Sequence, residues 1–292
     1  MNDLPRAMPT PIPAIHPLPE YLATGKTKDR YEDMKAVLQV PWMGVVTMAY
    51  AHYPNFFDTL WEGLRPLCQS AAYVECAREL RRFTEDEVPA LGPPPIVERL
   101  VAQGYAPREV EQIADMVEVF SHGNFVYLPM AAIVSMLLHG GEITGAEQAP
   151  AFEGRHAPDS AVPFMLMEAH HADAPTRALY EDIKRTLGLP FVNTDYRAFA
   201  RWPSYFALAW EDLKPCVTGA AHETITLGLH TRALDFAASF PNPAGLTSEA
   251  LIAAAKRDAP LAEIVEMAKL FFHLLPGLVT NVAFFRHQLL ER

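Results

Sequence analysis

The chain has 292 residues, of which 50% are hydrophobic and 20% are charged, and its formal net charge at pH 7 is -11. This length allows one large domain or two smaller ones, and the composition is that of a globular protein with a substantial core. The acidic balance argues against nucleic-acid binding, which usually requires a basic surface. The three cysteines lack C-x-x-C spacing and favour neither a disulfide framework nor a thiol redox motif, so we expect a cytoplasmic protein.

The N-terminal segment, residues 1–30, is rich in proline and lacks an apolar core of signal-peptide length. It predicts an extended arm. The longest apolar run, Asn124–Leu138, is shorter than the roughly 20 residues of a membrane span and contains Pro129. The sequence therefore predicts no membrane-spanning segment.

An internal repeat organises the rest of the chain. "YEDMKAVLQVPW" begins at Tyr31 and "YEDIKRTLGLPF" begins at Tyr180, and 16 of 42 gap-free positions from Tyr31 are identical at this shift of 149. A weaker match, at a shift of 147, pairs the residues around Pro129 with those around Pro276. We predict two repeats, over residues 31–139 and 171–292, joined by a linker over 140–170 that is rich in Gly, Pro and small polar residues.

The spacing of apolar residues inside each repeat is helical. In the second repeat one stripe recurs at intervals of three and four residues, through Phe199, Trp202, Phe206, Ala209, Trp210 and Leu213. Alternating β runs bounded by hairpin turns are missing from the sequence. We predict an all-α protein in which two tandem repeats form an intramolecular pseudo-dimer, with the active site between the repeats. An outer apolar helix face would also support a homodimer.

Positions that differ in polarity between the repeats cannot be required by the shared fold. The first is Asp195, which stands opposite Val46. One interpretation is a helix N-cap, because Asp often accepts the first free backbone N–H groups. The other starts from Val46, which indicates an apolar, buried environment. A carboxylate in such an environment has a raised pKa and becomes a useful proton acceptor.

The second asymmetric position is Asn124 in "SHGNFVYLP", whose counterpart is Phe271. One interpretation is a Gly-Asn break between two helical segments, since both residues tolerate left-handed geometry. The other is functional, because an amide both donates and accepts hydrogen bonds and can hold a water against Asp195.

Other polar candidates are weaker. The adjacent pair His170–His171 does not share a helical face, and His222 and His230 lack a carboxylate or Cys partner at ligand spacing, so no metal site is predicted. Arg197 and Arg201, four residues apart, suit a substrate carboxylate but are interpreted as surface groups.

The segments "FARWPSYFALAWEDLKP" and "HGNFVYLP", with the duplication and the linker, resemble the group I 2-haloacid dehalogenases over nearly the whole chain. The DL-type members of that family act on both enantiomers of a 2-haloalkanoate. The resemblance implies an all-helical pseudo-dimer with a site between its repeats and no cofactor. It also implies Asp195 as the catalytic aspartate and Asn124 as the asparagine that positions the water.

The resemblance also implies the substrate-binding residues. These are Trp42, Gly44, Val45, Tyr127, Asn193, Thr194, Phe271, Leu275 and Val279. Members of the family commonly have Phe at the position of Val45, Ser at that of Thr194 and Tyr at that of Phe271. Those differences leave the base intact but alter the size of the pocket.

The function implied is hydrolysis of short-chain 2-haloacids. A water activated by Asp195 would attack C2 and expel halide with inversion, without an ester to the enzyme, while Thr194 would hold the substrate carboxylate. The partners expected are the substrate, water and halide. Two alternatives stay open: a helical hydrolase or lyase acting on another 2-substituted acid, and a non-catalytic helical binding or assembly protein in which Asp195 and Asn124 only cap helices.

Overall fold

The computed structural model describes residues 4–290 and confirms the all-α prediction. Within that range the regular structure consists of helices, and the only bridge is an isolated one between Ser70 and Ala151. The α-helices are α1 Gly25–Leu38, α2 Val45–Tyr50, α3 Pro54–Cys68, α4 Ala71–Glu87, α5 Val97–Ala102, α6 Pro107–Leu138, α7 Ala174–Leu187, α8 Thr194–Phe199, α9 Pro203–Leu213, α10 Ala220–Ser239, α11 Ser248–Asp258 and α12 Leu261–Leu290. Two short 3-10 helices cover Glu20–Leu22 and Val88–Leu91.

Local sequence signals set several helix ends. Asp173 caps α7 by accepting a hydrogen bond from the Thr176 backbone N–H at 2.9 Å. Pro54 and Pro203 are the first residues of α3 and α9, where proline's missing N–H costs nothing. Gly188 ends α7 in the left-handed region, which glycine adopts without steric cost.

The chain divides into two compact units. The first contains the described residues up to Phe83 together with His122–Ala157 and Leu227–Pro276. The second contains Thr84–Ser121, Pro158–Thr226 and the residues from Gly277 onwards. Each unit therefore takes segments from both halves of the sequence. The limits proposed for the arm, repeats and linker stay predictions, although α1 already begins at Gly25.

In the first unit, α3 packs against α11. Asp258 at the end of α11 accepts hydrogen bonds from the Phe56 backbone N–H at 2.8 Å and from the Asn55 amide, so it satisfies a free donor at the start of α3. On α3, Gly63 leaves no room for a side chain beside Leu246. This close approach holds the segment just before α11 against α3.

In the second unit, an aromatic cluster surrounds α8 and α9. Tyr196 stacks on Phe206 at 5.7 Å, and Phe285 of α12 packs edge-on against both rings and against Phe199. Such pairs add to the stabilisation that burial alone provides. The predicted aromatic stripe is therefore the buried face of these short helices.

Several hydrogen bonds recur at the 149-residue shift. The Tyr31 hydroxyl donates to the Leu18 carbonyl in the first unit, and the Tyr180 hydroxyl donates to the Met167 carbonyl in the second. The indoles behave alike, since Trp61 donates to Asp33 at 2.8 Å and Trp210 to Asp182 at 3.0 Å. Helices α1 and α7 have the same length, as do α2 and α8.

Helices α6 and α12 are long and apolar enough to cross a membrane. Their apolar windows are 100% and 83% buried within the protein, which is the pattern of core helices. Pro129 and Pro276 lie inside these two helices.

Candidate active site

Asp195 lies in the first turn of α8 and is 2% exposed. Its counterpart Val46 occupies the same place in α2 and is 4% exposed, which confirms the prediction of a buried environment. A carboxylate is therefore held where the first copy holds an apolar side chain. Such a group loses hydration, and burial of this kind is characteristic of functional acids and bases.

The N-cap interpretation of Asp195 is wrong, because the N-cap of α8 is Asn193. Gly44 is the N-cap of α2, with backbone angles of -60° and 146° against -59° and 155° at Asn193. The Asn193 side chain makes no capping hydrogen bond, and Gly44 has no side chain that could make one. The shared backbone thus forms without a capping carboxylate.

Asn193 presents a buried acceptor next to Asp195. Its Oδ1 atom is buried and has no hydrogen-bond partner among residues 4–290. Leaving a buried polar atom unsatisfied costs about 1–3 kcal/mol, so it is expected only where another requirement outweighs that cost. An acceptor of this kind suits a water or a substrate group that donates a hydrogen bond.

Arg197 supports the start of α8. It donates to the Glu168 carboxylate at 2.6 Å and to the Thr194 hydroxyl oxygen at 3.3 Å, and its side chain is 19% exposed. Arg197 thus pairs with an acid, Glu168, and both side chains are partly exposed. Arg201 donates to the Pro163 carbonyl at 3.1 Å and lies over the Trp202 ring, on the rim of the fold.

A buried hydrogen-bond chain reaches the residue after Asp195. His222 Nε2 donates to Asn281 Oδ1 at 2.8 Å, and Asn281 Nδ2 donates to the Tyr196 hydroxyl at 2.9 Å. Burial raises the pKa of Tyr196, so its hydroxyl stays protonated. Val279, two residues before Asn281 on α12, is buried in the same unit.

Asn124 lies inside α6 and is 4% exposed. The helix continues through Gly123 and Asn124, so the interpretation of a Gly-Asn break is wrong. Gly123 has a different purpose, because a methyl group there would overlap the indole of Trp42. The glycine therefore brings Trp42 against α6 beside Asn124.

Trp42, Gly44 and Tyr127 form one hydrogen-bonded cluster in the first unit. The Tyr127 hydroxyl donates to the Trp42 carbonyl at 2.8 Å and accepts from the Gly44 backbone N–H at 3.1 Å. The two aromatic rings meet edge-on at 6.1 Å. Tyr127 thus satisfies a free donor at the start of α2 and fixes the loop that carries Trp42.

The remaining residues of the predicted first-unit wall lie on α2 and α12. Val45 is half-buried, and Phe271 and Leu275 are buried one turn apart on α12. Phe271 packs edge-on against Tyr50 at 6.3 Å. Tyr50 is fully buried, and its hydroxyl has no hydrogen-bond partner in the described chain.

The weaker histidine candidates form no ligand group. His170 and His171 are exposed, with ring centroids 4.1 Å apart. No group of three or more His, Cys, Asp or Glu side chains suited to a metal ion lies within residues 4–290. His222 and His230 instead donate hydrogen bonds to Asn281 and to the Leu4 carbonyl, which act as structural partners.

Comparison with known proteins identifies the relatives of this chain. Residues 41–196, more than half of the sequence, match the family described as "Halocarboxylic acid dehydrogenase DehI". The chain is 45% identical to the "(R)-2-haloacid dehalogenase" of Rhizobium sp. (strain NHG3), over 85% of this chain and 97% of that protein. The chain belongs to this family. It is a member of the group I 2-haloacid dehalogenases, and so of the hydrolases that act on carbon–halide bonds.

Other members match three quarters or more of the chain. The "(R)-2-haloacid dehalogenase" of Pseudomonas putida is 34% identical over 99% of this chain and 98% of that protein. A "2-haloacid dehalogenase, configuration-inverting" of Pseudomonas sp. (strain 113) is 24% identical over 77% and 75%. A solved structure of a D-2-haloacid dehalogenase mutant with D-2-CPA superposes with a TM-score of 0.88 at 32% identity, over 95% of this chain and 97% of that one.

In this dehalogenase, four residues that shape the candidate site were given no functional role in the sequence analysis. Tyr50 stands opposite Phe199, and Arg197 opposite Met48, so the polarity comparison that selects Asp195 would also have selected both. The only sequence feature that pointed to Gly123 was its position next to Asn124. Glu168, the partner of Arg197, lies in the predicted linker and had no signal at all.

Proposed function

We propose that this dehalogenase hydrolyses short-chain 2-haloalkanoic acids to 2-hydroxyalkanoic acids. The single observation that carries the proposal is the buried carboxylate of Asp195 at a backbone position where the first copy has buried Val46. Family membership supplies the reaction class, because the relatives are named 2-haloacid dehalogenases.

In the proposed mechanism, Asp195 accepts a proton from a water molecule and the water oxygen attacks C2 of the substrate. The C–O bond forms as the carbon–halogen bond breaks, and the halogen leaves with the bonding electron pair as halide. Asn124 accepts a hydrogen bond from the second hydrogen of the same water. Attack opposite the leaving group inverts C2 without an enzyme ester, which agrees with the name of the configuration-inverting relative.

The substrate carboxylate is assigned to the start of α8. Arg197 holds the Thr194 hydroxyl oxygen, which leaves the hydroxyl hydrogen free to be donated to a carboxylate. Trp42, Val45 and Tyr127 would contact the alkyl group and the halogen, with Phe271 and Leu275 as a further apolar wall. Tyr50 adds a buried hydroxyl beside Phe271.

For stereochemistry, we propose action on the (R) enantiomer. Two relatives that match most of the chain are named for (R)-2-haloacids, at 45% and 34% identity. The prediction that both enantiomers react is the alternative, and halide release from each enantiomer of 2-chloropropionate separates the two.

We further propose that the sequence duplication corresponds to an intramolecular pseudo-dimer. Support comes from the recurrence of the Tyr31 and Trp61 hydrogen bonds at Tyr180 and Trp210. A homodimer and a cytoplasmic location remain proposals as well. The proposed cytoplasmic location is supported by Cys68, Cys76 and Cys216, which form no disulfide.

The decisive experiment is a single turnover in 18O-labelled water with (R)-2-chloropropionate. Label should appear in the hydroxy acid and none in the protein, and Asp195→Asn should lower the rate of halide release by about 10²- to 10⁴-fold while the protein stays folded. Label in the Asp195 carboxylate would show that the reaction passes through an ester to Asp195 and would overturn direct attack by water. A panel of 2-fluoro, 2-chloro and 2-bromo acids that yields no halide would overturn the proposed reaction altogether.

A further inference from the structure

A cavity lies in the first unit, and none of the residues assigned to the reaction lines it. Its volume is about 250 Å³, and helices α6, α10 and α12 and the arm residues Leu4–Ala7 form its walls. A water molecule occupies about 30 Å³ of liquid, so the cavity has room for a small organic molecule.

The polar lining of this cavity is basic. Arg6 and Lys269 carry positive charge, and three histidines join them, at positions 139, 230 and 273. No carboxylate among residues 4–290 lines the cavity; Glu266, on the same helix as Lys269, lies 3.9 Å from the Lys269 ammonium. In a protein of net charge -11, this is a local site for an anion.

His230 adds a hydrogen-bond acceptor to the basic lining. Its Nε2 atom lies 2.7 Å from the Leu4 carbonyl oxygen, which can only accept, so Nε2 carries the ring hydrogen. Nδ1 is then the acceptor of the neutral ring, and it is buried without a hydrogen-bond partner in the described residues. Burial, with the nearby Arg6 cation, lowers the pKa of His230 and keeps the ring neutral.

A ligand for this lining needs two features at once. A carboxylate would pair with Arg6 and Lys269, and a hydroxyl would donate its hydrogen to His230 Nδ1. A simple carboxylic acid satisfies only the first requirement. The ring of His230 is fixed by stacking on Phe272 at 4.1 Å, so the acceptor is held in place.

We propose that this cavity is a binding site for a short hydroxycarboxylate. Its identification with the reaction product rests on the proposed function, whereas the binding itself does not. If the hydroxycarboxylate bound in this cavity is the reaction product, the enzyme carries a site that senses its own product.

Calorimetric titration with L-lactate and with propionate tests the inference. The Arg6→Gln/Lys269→Met double variant should bind L-lactate at least about tenfold more weakly at this site, because two charge-assisted contacts are lost. Propionate should bind the wild-type cavity about 2- to 10-fold more weakly than L-lactate, since it lacks the hydroxyl. His230→Phe should remove that preference while the stacked ring is kept.

Lys28→Met is the matched control, since Lys28 is an exposed lysine of α1 outside the cavity. It should bind L-lactate like the wild type. Unchanged L-lactate binding in the double variant would overturn the inference, and so would equal affinity for lactate and propionate. Halide release from 2-chloropropionate is measured on the same samples, so a failure of the proposed function registers separately from a failure of binding.

Discussion

Helices α2 and α8 share a backbone but differ in chemistry. Both have six residues, and both begin after an N-cap residue with extended backbone angles. Each also accepts a hydrogen bond from an earlier segment of the chain. The Leu18 N–H donates to the Met48 carbonyl of α2, and the Met167 N–H donates to the Arg197 carbonyl of α8. The first nevertheless buries Val46 where the second buries Asp195. This difference indicates that residues conserved between the two repeats maintain the fold. Residues that are polar in one repeat and apolar in the other can be assigned to the reaction.

The largest expected effect comes from giving α8 the residue of α2. Asp195→Val should lower kcat by about 10²- to 10⁴-fold, because the proposed base is removed. The free energy of unfolding should stay the same or rise, because Val46 already packs at the equivalent position of the same backbone. Halide release and urea unfolding measure the two quantities.

The reverse exchange is the control. Val46→Asp should lower the free energy of unfolding by about 3–5 kcal/mol, because it buries a carboxylate with no partner provided for it. A well-folded Val46→Asp variant would mean that the two environments are not equivalent, and the comparison would fail.

A smaller effect is expected at Tyr50, where the second copy has Phe199. Tyr50→Phe should lower kcat/KM by about tenfold, as expected when one hydrogen bond to a substrate is lost. It should also raise the free energy of unfolding by up to about 1 kcal/mol, since a buried hydroxyl without a partner is removed.

Loss of activity together with a gain of stability is a combination that a purely structural tyrosine would not give. Phe199→Tyr is the matched variant and should only destabilise the protein. If Tyr50→Phe leaves kcat/KM unchanged, the asymmetry at this position has no functional meaning.

The smallest effect on activity is expected at positions that the copies share. Trp61→Phe and Trp210→Phe should each lower the free energy of unfolding by about 2 kcal/mol, because each loses an indole hydrogen bond to a carboxylate. Thermal unfolding should show equal losses of stability in the two variants, and halide release should show that kcat is unchanged in both. A selective loss of activity in one variant would contradict the division between shared and asymmetric positions.

Much of the fold followed from the sequence. The period of apolar residues predicted helices, and the regular structure of the described residues is helical. The burial of Asp195 was predicted from Val46 alone. The first inference succeeded because helix formation depends on local pattern, and the second because the repeat supplies an apolar residue at the equivalent position.

Other features were beyond sequence reasoning because they depend on long-range contacts. The pairing of Arg197 with Glu168 joins α8 to a segment without regular structure, and no periodicity reports it. The overlap that keeps Gly123 small involves Trp42, 81 residues earlier in the chain. The division into compact units could not be anticipated either, since each unit draws on both halves of the sequence.

The interleaving of the compact units has a consequence for synthesis on the ribosome. Asp258 binds the Phe56 N–H across 202 residues, and Arg286 binds Glu85 across 201. Closing loops of this length is entropically costly and slows folding. Neither unit can be completed while only the first half of the chain has emerged, so the nascent half must stay soluble until the last helices arrive.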